Sequence, residues 1–343
     1  EQAISLVSAA FSYSASEYCE NAAIDPTPTI TGTSGGIFTA AEKFFPFQMQ
    51  FEVASGVSKT ITIPGTVGSS FTVDWGDGNT TTETGGTITH TYDGSYPNPT
   101  VSIGAASDSG PFTTFAFNSS GSKSDLLDVP QWGSIVWSSF NAMFRGCNNN
   151  NFQISATDYP DMSNSTVMQI MFYNATYFNS NIDHWDVSTI TDMYGIFYGA
   201  VNFNQSLNSW DVSNVTTFHN AFASFGSSVG GFNGNISNWD MSSCEITANM
   251  FYNQTSFNQD ISGWSFSSSW TNAEQMFFSA SSFNQDLNSW NVISVLNMDG
   301  MCRGCTNFNN NGGTLSGWGV SSVTRMLRMF QSSTSFVGTG LDS

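Results

Sequence analysis

The chain repeats itself. Residues 203–222 read FNQSLNSWDVSNVTTFHNAF, and residues 283–302 read FNQDLNSWNVISVLNMDGMC. This constrains the fold more than any other feature, because a unit of about 25 residues cannot bury its own apolar face and must bury it against copies of itself. With the Trp of SWDVS as anchor, equivalent positions are Trp132, Pro160, Trp185, Trp210, Trp239, Trp264, Trp290 and Trp318, spaced 25 to 29 residues apart. A second anchor stands twelve residues later, at Phe144, Phe172, Phe197, Phe222, Phe251, Cys302 and Phe330, with Phe277 one residue late in the sixth unit. Eight units result, with short insertions at 224–231 and 309–313.

The best-written unit is L-x-x-W-x-V-S-x-V-x-x-M-x-x-M-F-x-x-A-x-x-F-N. Its first part alternates as a short strand does. Its second part spaces apolar residues by three and four, as at Met193, Ile196, Phe197 and Ala200, which predicts one face of a short helix. The expected fold is therefore an α+β solenoid, one short strand and one short helix per turn, with the Trp and Phe anchors stacked inward. The register also explains the cysteines. Cys147 and Cys305 fill a slot that is Ala175, Ala200 and Ala280 elsewhere, Cys302 fills the Phe slot and Cys244 a Val slot, so they read as small buried hydrophobes rather than as a redox or zinc site. The Asn of FN recurs as Asn179, Asn204, Asn233, Asn258, Asn284 and Asn309, which predicts an asparagine ladder joining successive turns.

Segments such as MFYNATYFNSNIDHWDVSTITDMYGIF and FNQSLNSWDVSNVT resemble the BspA-type surface repeats, a family related to leucine-rich repeats. The resemblance covers about residues 125–343 and departs from the pattern at Pro160. It implies a leucine-rich-repeat-like solenoid in a large extracellular protein of bacteria, some protists or some viruses, with a role in adhesion and surface recognition.

Ahead of the repeats, FQMQFEV, KTITI, FTVDWGDGN, GTITHTY and TVSI alternate as strands between Gly, Pro and Asn, as in an all-β sandwich. VDWGDGN followed by ITHTY resembles a PKD-type, Ig-like domain. Three parts are expected: residues 1–43, similar to a piece of adhesin repeat and read as a linker or partial Ig-like segment; residues 44–111, the sandwich; and residues 112–343, an N-terminal cap followed by the eight repeats. The N-terminus lacks the basic and apolar regions of an intact signal peptide, so a removed leader or an excerpted chain is expected. The end at FVGTGLDS leads to the expectation that the chain continues or that another subunit covers the last turn.

Asp and Glu outnumber Lys and Arg by 26 to 7, a net charge of −19, which argues against nucleic-acid phosphates and anionic membranes as partners. No apolar run reaches the roughly 18 to 20 residues of a membrane span. No catalytic motif is found, and an enzyme is not expected. Asp74 and Asp77 are weak calcium candidates; turn structure is the preferred reading of WGDG. No cofactor is expected beyond that possible calcium.

Two surfaces are candidates for recognition. Residues flanking the inward Trp should point outward: His184, Ser209 and Asn238 on one side, Asp186, Asp211 and Asp240 on the other, the latter a carboxylate column suited to a cation or a polyhydroxyl ligand. The residue after the Phe anchor should also point outward, giving a column of Tyr173, Tyr198, Ala223, Tyr252 and Phe278 suited to packing against another chain. The expected function is a non-enzymatic, extracellular cell-surface adhesion module that binds a cell-surface glycan or protein, within a longer chain or larger assembly. The alternative is a virion component, such as a phage fibre or capsid decoration protein.

Overall fold

The structure is a computed structural model that describes residues 44–104, 112–226 and 228–338. The reading of residues 1–43 falls outside them. Residues 43–343 cluster as one compact unit.

Among the described residues, regular strands occur only up to residue 131. β1 (Phe47–Phe51), β2 (Lys59–Thr66), β3 (Phe71–Asp74), β4 (Thr80–Glu83), β5 (Gly86–Tyr92), β6 (Thr100–Ile103) and β7 (Leu126–Gln131) form a five-stranded sheet in the order β4-β3-β6-β1-β7 and a two-stranded sheet, β2-β5. All these pairings are antiparallel. The alternation read from the sequence holds: Phe47, Met49 and Phe51 point into the core from β1, and Ile61 and Ile63 from β2.

β7 is the hinge of the architecture. One edge of it pairs with β1 in the sheet. The other meets the repeats, through a parallel bridge from Asp128 to Gln153 and a bond from the Gln153 N–H to the Leu127 carbonyl at 2.9 Å. Phe112, Phe115 and Phe117 pack with Phe47, Phe51 and Phe144, so one apolar core runs unbroken from the sandwich into the coils.

The expectation of an α+β solenoid is overturned. Among the described residues there is no α-helix, only two single 3-10 turns, and the regular structure is all β, in the two antiparallel sheets. The repeats do stack, but as coils of turns. From the second coil on, one column of parallel bridges joins each coil to the next, running Val167, Asp192, Thr217, Ile246, Asn272, Asn297, Arg325, with a second bridge from Gly230 to Gln254. The Trp segment read as a strand forms turns and open chain, and the segment read as a helix is a run of three-residue turns.

The backbone shows why. Gly195 and Gly199 both have positive φ, as do Asn249 with Asn253, Gly300 with Gly304, and Gln275 with Ser279. A left-handed residue cannot sit inside a right-handed helix. Each pair brackets the Phe anchor, and between them the N–H groups alternate in their targets. In the third unit the N–H groups of Ile196, Tyr198 and Ala200 close turns on carbonyls three residues back. Those of Met193, Gly195, Phe197 and Gly199 cross to the carbonyls of Thr217, His219, Ala221 and Ala223 in the next coil, at 2.8–3.2 Å. Successive three-residue turns bury residues at the same intervals as a helix, so Met193, Ile196, Phe197 and Ala200 do face the core.

The anchors form the columns expected of them. Phe172, Phe197, Phe222, Phe251 and Phe277 stack at 5.4–5.7 Å between centroids. Trp210, Trp239, Trp264, Trp290 and Trp318 are buried, and each indole N–H donates to a carbonyl of the preceding coil at 2.7–3.0 Å. That ladder has no rung at Trp185. The preceding unit carries Pro160, the Trp185 N–H is buried without an acceptor, and its ring meets Trp132 edge-on at 5.3 Å. The asparagine ladder is also present: the Oδ1 atoms of Asn179, Asn204, Asn233, Asn258 and Asn284 each accept the backbone N–H of the next ladder Asn, at 2.6–2.9 Å. Cys147, Cys244, Cys302 and Cys305 are unbonded and buried, and burial pushes the Cys147, Cys244 and Cys305 thiols up, away from the reactive thiolate.

Candidate binding surface

The turn geometry that rules out a helix still sends the residue after each Phe anchor outward. Tyr173, Tyr198, Tyr252 and Phe278 are half-buried, with their rings in one column. Ala223, expected in the same column, is buried. Its place is taken by Phe225 from the insertion at 224–231, and the stack is continuous: Tyr173 on Tyr198 at 4.3 Å, Tyr198 on Phe225 at 5.4 Å, Phe225 on Tyr252 at 4.1 Å, Tyr252 on Phe278 at 4.5 Å. Interplanar angles are 1–16°.

Both ends of the column are closed by cations. The Arg145 guanidinium lies 4.8 Å from the Tyr173 centroid and that of Arg303 5.2 Å from the Phe278 centroid. Each such contact contributes about 0.5–1 kcal/mol at an exposed site. Two of the chain's four arginines are used this way. Sequence reasoning missed Arg145, Arg303 and Phe225, yet the two arginines stand directly after their anchors, in MFRG and MCRG, in the register of the tyrosines. Phe225 had no such signal, since it belongs to an insertion.

This arrangement decides what the column can do. Every ring face is covered by a neighbouring ring or a guanidinium, so no face is free for a flat ligand. What reaches solvent is a row of ring edges and hydroxyls. Burial and the neighbouring Tyr173 hydroxyl push the Tyr198 phenol up to about 12, so it stays a protonated donor at neutral pH.

On the Trp side, His184, Ser209 and Asn238 and also Asp186, Asp211 and Asp240 are all exposed around the buried Trp, as expected. They stand on turns rather than strands. The Oδ1 atoms of Asp186, Asp211 and Asp240 accept the N–H groups of Ser188, Ser213 and Ser242 at 2.9–3.1 Å, closing their own turns. Hydrogen bonds from the Ser213 hydroxyl and N–H hold the Asp211 carboxyl below its usual value. Ser209 bonds through its N–H and hydroxyl to Asp183 at 2.9 Å, and the Asn238 N–H to Asn208 at 2.8 Å.

In the sandwich, Asp74 accepts the Gly76 N–H at 2.9 Å and Asp77 the Asn79 N–H at 3.0 Å. His90 Nε2 lies 2.6 Å from Asp77 Oδ2. Burial pushes the Asp77 carboxyl up, but hydrogen bonds from His90 and Asn79 outweigh it and hold the carboxyl below its usual value. Both carboxylates thus shape the turn. Among the described residues no group of three or more His, Cys, Asp or Glu side chains is placed to hold a metal ion.

Fold and surface together define a class: a solenoid of stacked turns built onto the edge strand of a β-sandwich, with side-chain columns in register along its flanks. The chain belongs to the family described as Mycoplasma protein of unknown function, DUF285, whose model matches residues 138–233 and 222–342, more than half of the 343 residues. That membership is compatible with a BspA-type repeat and fits a surface-repeat protein. No match was found among curated proteins or among solved structures.

Proposed function

We propose that this chain is a non-enzymatic recognition module on an extracellular cell surface, attaching to a glycan or a protein of another surface, with its sandwich a PKD-like domain that supports the coils. The observation that carries this reading is the ring column from Tyr173 to Phe278, held in register by main-chain bonds between coils and edged toward solvent. An ordered row of half-exposed aromatic edges is larger than the scattered apolar residues of an ordinary surface, and such patches mark contact sites. The chemistry of the remaining groups supports a binding rather than a catalytic role. His90 is occupied by Asp77, His219 is depressed by burial, and three of the four described thiols are raised by it.

The test is attachment. Beads coated with the chain should bind intact cells or a cell-wall fraction saturably and be displaced by free chain. Beads carrying Tyr198→Ser with Tyr252→Ser should bind at least tenfold less, with the fold checked by circular dichroism. Attachment that fails to saturate, or that free chain does not compete, removes the reading.

A further inference from the structure

The coils differ from one another at one place in a way that leaves a cleft. In the third, fifth and sixth units a Gln follows the ladder Asn, and its amide reaches back over the step to the preceding coil. Gln205 bonds to Asn179 at 3.1 Å, Gln259 to the Asn233 carbonyl at 2.7 Å, and Gln285 to Asn258 at 2.8 Å. The second unit has the shorter Ser180 there, whose hydroxyl accepts the Ile154 N–H of the preceding coil at 2.8 Å and leaves the space beyond it uncovered. The first unit is also longer at this point, with five steps from Cys147 to Phe152 against three from Ala175 to Phe178. Between these two loops lies an open cleft of about 570 Å³.

A second departure falls on the same cleft. The residue before the closing Phe is small in the third to seventh units: Asn202, Gly231, Ser256, Ser282 and Asn307. In the second unit it is Tyr177, which is 48% exposed and lines the cleft. Unlike the column tyrosines, Tyr177 has no aromatic ring or guanidinium stacked on it among the described residues. The rest of the polar lining is Asn150, Asn151, Gln153, Asn179 and Ser180, with no ionisable carboxylate, imidazole or cation.

We propose that this cleft binds a neutral polyhydroxylated ligand, one or two sugar rings of a glycan, with Tyr177 as the platform. Side-chain amides both donate and accept, as sugar hydroxyls do, and match them in pairs. The C–H face of a sugar ring packs on the electron-rich face of an aromatic ring, which Tyr177 alone offers here. The uncharged lining selects against sulfated or sialylated chains, whose anions would find no cation. The volume suits a short stretch of chain passing through. This assignment rests on the recognition reading above and names its ligand class.

The test uses the full chain and four soluble probes of about three to five sugar units: β-1,4-glucan, α-1,4-glucan, β-1,4-xylan and β-1,4-linked N-acetylglucosamine oligosaccharides, followed by calorimetry and saturation-transfer NMR. At least one should bind, with a dissociation constant on the order of 0.1–1 mM, the weak end of the affinity scale. Tyr177→Ala should weaken it at least tenfold. Ser180→Gln, which places there the longer amide that three other coils carry, should do the same by filling the space over Ser180, with circular dichroism checking that the fold survives loss of the Ile154 bond. Tyr96→Ala, an exposed ring of the sandwich away from the cleft, should leave it unchanged. Absence of binding to all four probes, equal binding by Ser180→Gln, or tighter binding of a sulfated counterpart would each overturn the assignment. If bead attachment to cells survives while all four probes fail, only this cleft falls. If a probe binds at the cleft and is shortened on incubation, the ligand class stands and the non-catalytic reading falls.

Discussion

The sandwich and the coil stack both join neighbouring passes of the chain by main-chain hydrogen bonds, but they divide the work differently. In the sandwich, strand pairing is continuous, as in the four-residue register of β3 with β4, and side chains alternate across it. In the coils only alternate N–H groups cross to the next pass; the others close turns within the coil. What a sheet obtains from an unbroken ladder, the coils obtain from side chains that return at the same position: asparagine Oδ1 atoms, stacked rings and, from Trp210 on, indole N–H groups. The difference teaches that stacked repeats can satisfy their backbone without regular secondary structure, provided the same side chain returns at the same position.

Removing an indole should have the largest effect. Trp239→Ala empties an aromatic core site and strips a bond to the Leu207 carbonyl, and should cost about 3–5 kcal/mol in urea unfolding. Hydrogen exchange should show the coils around Trp239 losing protection while β1 and β6 keep theirs, because stability in a repeat stack is local. Uniform loss across both regions would erase the distinction. Next comes the ladder: Asn258→Ala takes away the acceptor of the Asn284 N–H and should cost about 1 kcal/mol, whereas Asn258→Asp should cost less because it keeps an acceptor. Equal losses would mean that the Asn serves some purpose other than accepting that bond.

A smaller change should stabilise. Gln275 has φ 51° at a position where the third, fourth, fifth and seventh units carry Gly195, Asn220, Asn249 and Gly300. Gln275→Asn should therefore raise stability by about 0.5 kcal/mol, a part of the left-handed penalty. Smallest is the pH term. Asp77 in the sandwich and Asp211 and Asp260 in the coils all have carboxyls held below their usual values by hydrogen bonds. A folded-state value below the unfolded one means stability that is complete above the unfolded carboxylate range near ~4 and is lost as pH falls through the lower folded values. After solvent screening each contributes no more than a few tenths of a kcal/mol. Asp77→Asn and Asp211→Asn should each flatten the acid limb of the stability curve slightly, and an unchanged limb in either would show that the bond does not couple to folding.

Much of this was legible from residue spacing. The period of Trp and Phe located every coil and both core columns, and the constancy of Asn pointed to its ladder. The alternation in FQMQF and KTITI gave the sandwich strands. The helix was misread because burial at intervals of three and four is common to a helix and to successive three-residue turns. The discriminating signal lay in GIFYG, NMFYN and GMCRG, where residues that tolerate positive φ stand two before and two after the anchor. The ring column was legible as a register position, but not its closure by Arg145 and Arg303 or its completion by Phe225. The cleft needed coordinates, since it arises where a longer loop in the first unit meets the short Ser180 of the second.

The bonds that cross from coil to coil have a mechanical meaning. They point along the stack, so a load that draws one coil away from the next pulls on them end-on. Such a stack yields by peeling, one turn after another, rather than by shearing a sheet. Each turn of about 25 residues would release roughly 85 Å of extended chain, so a tether of this kind would lengthen in many short steps, each relaxing the tension that the coils and their anchor at β7 carry together.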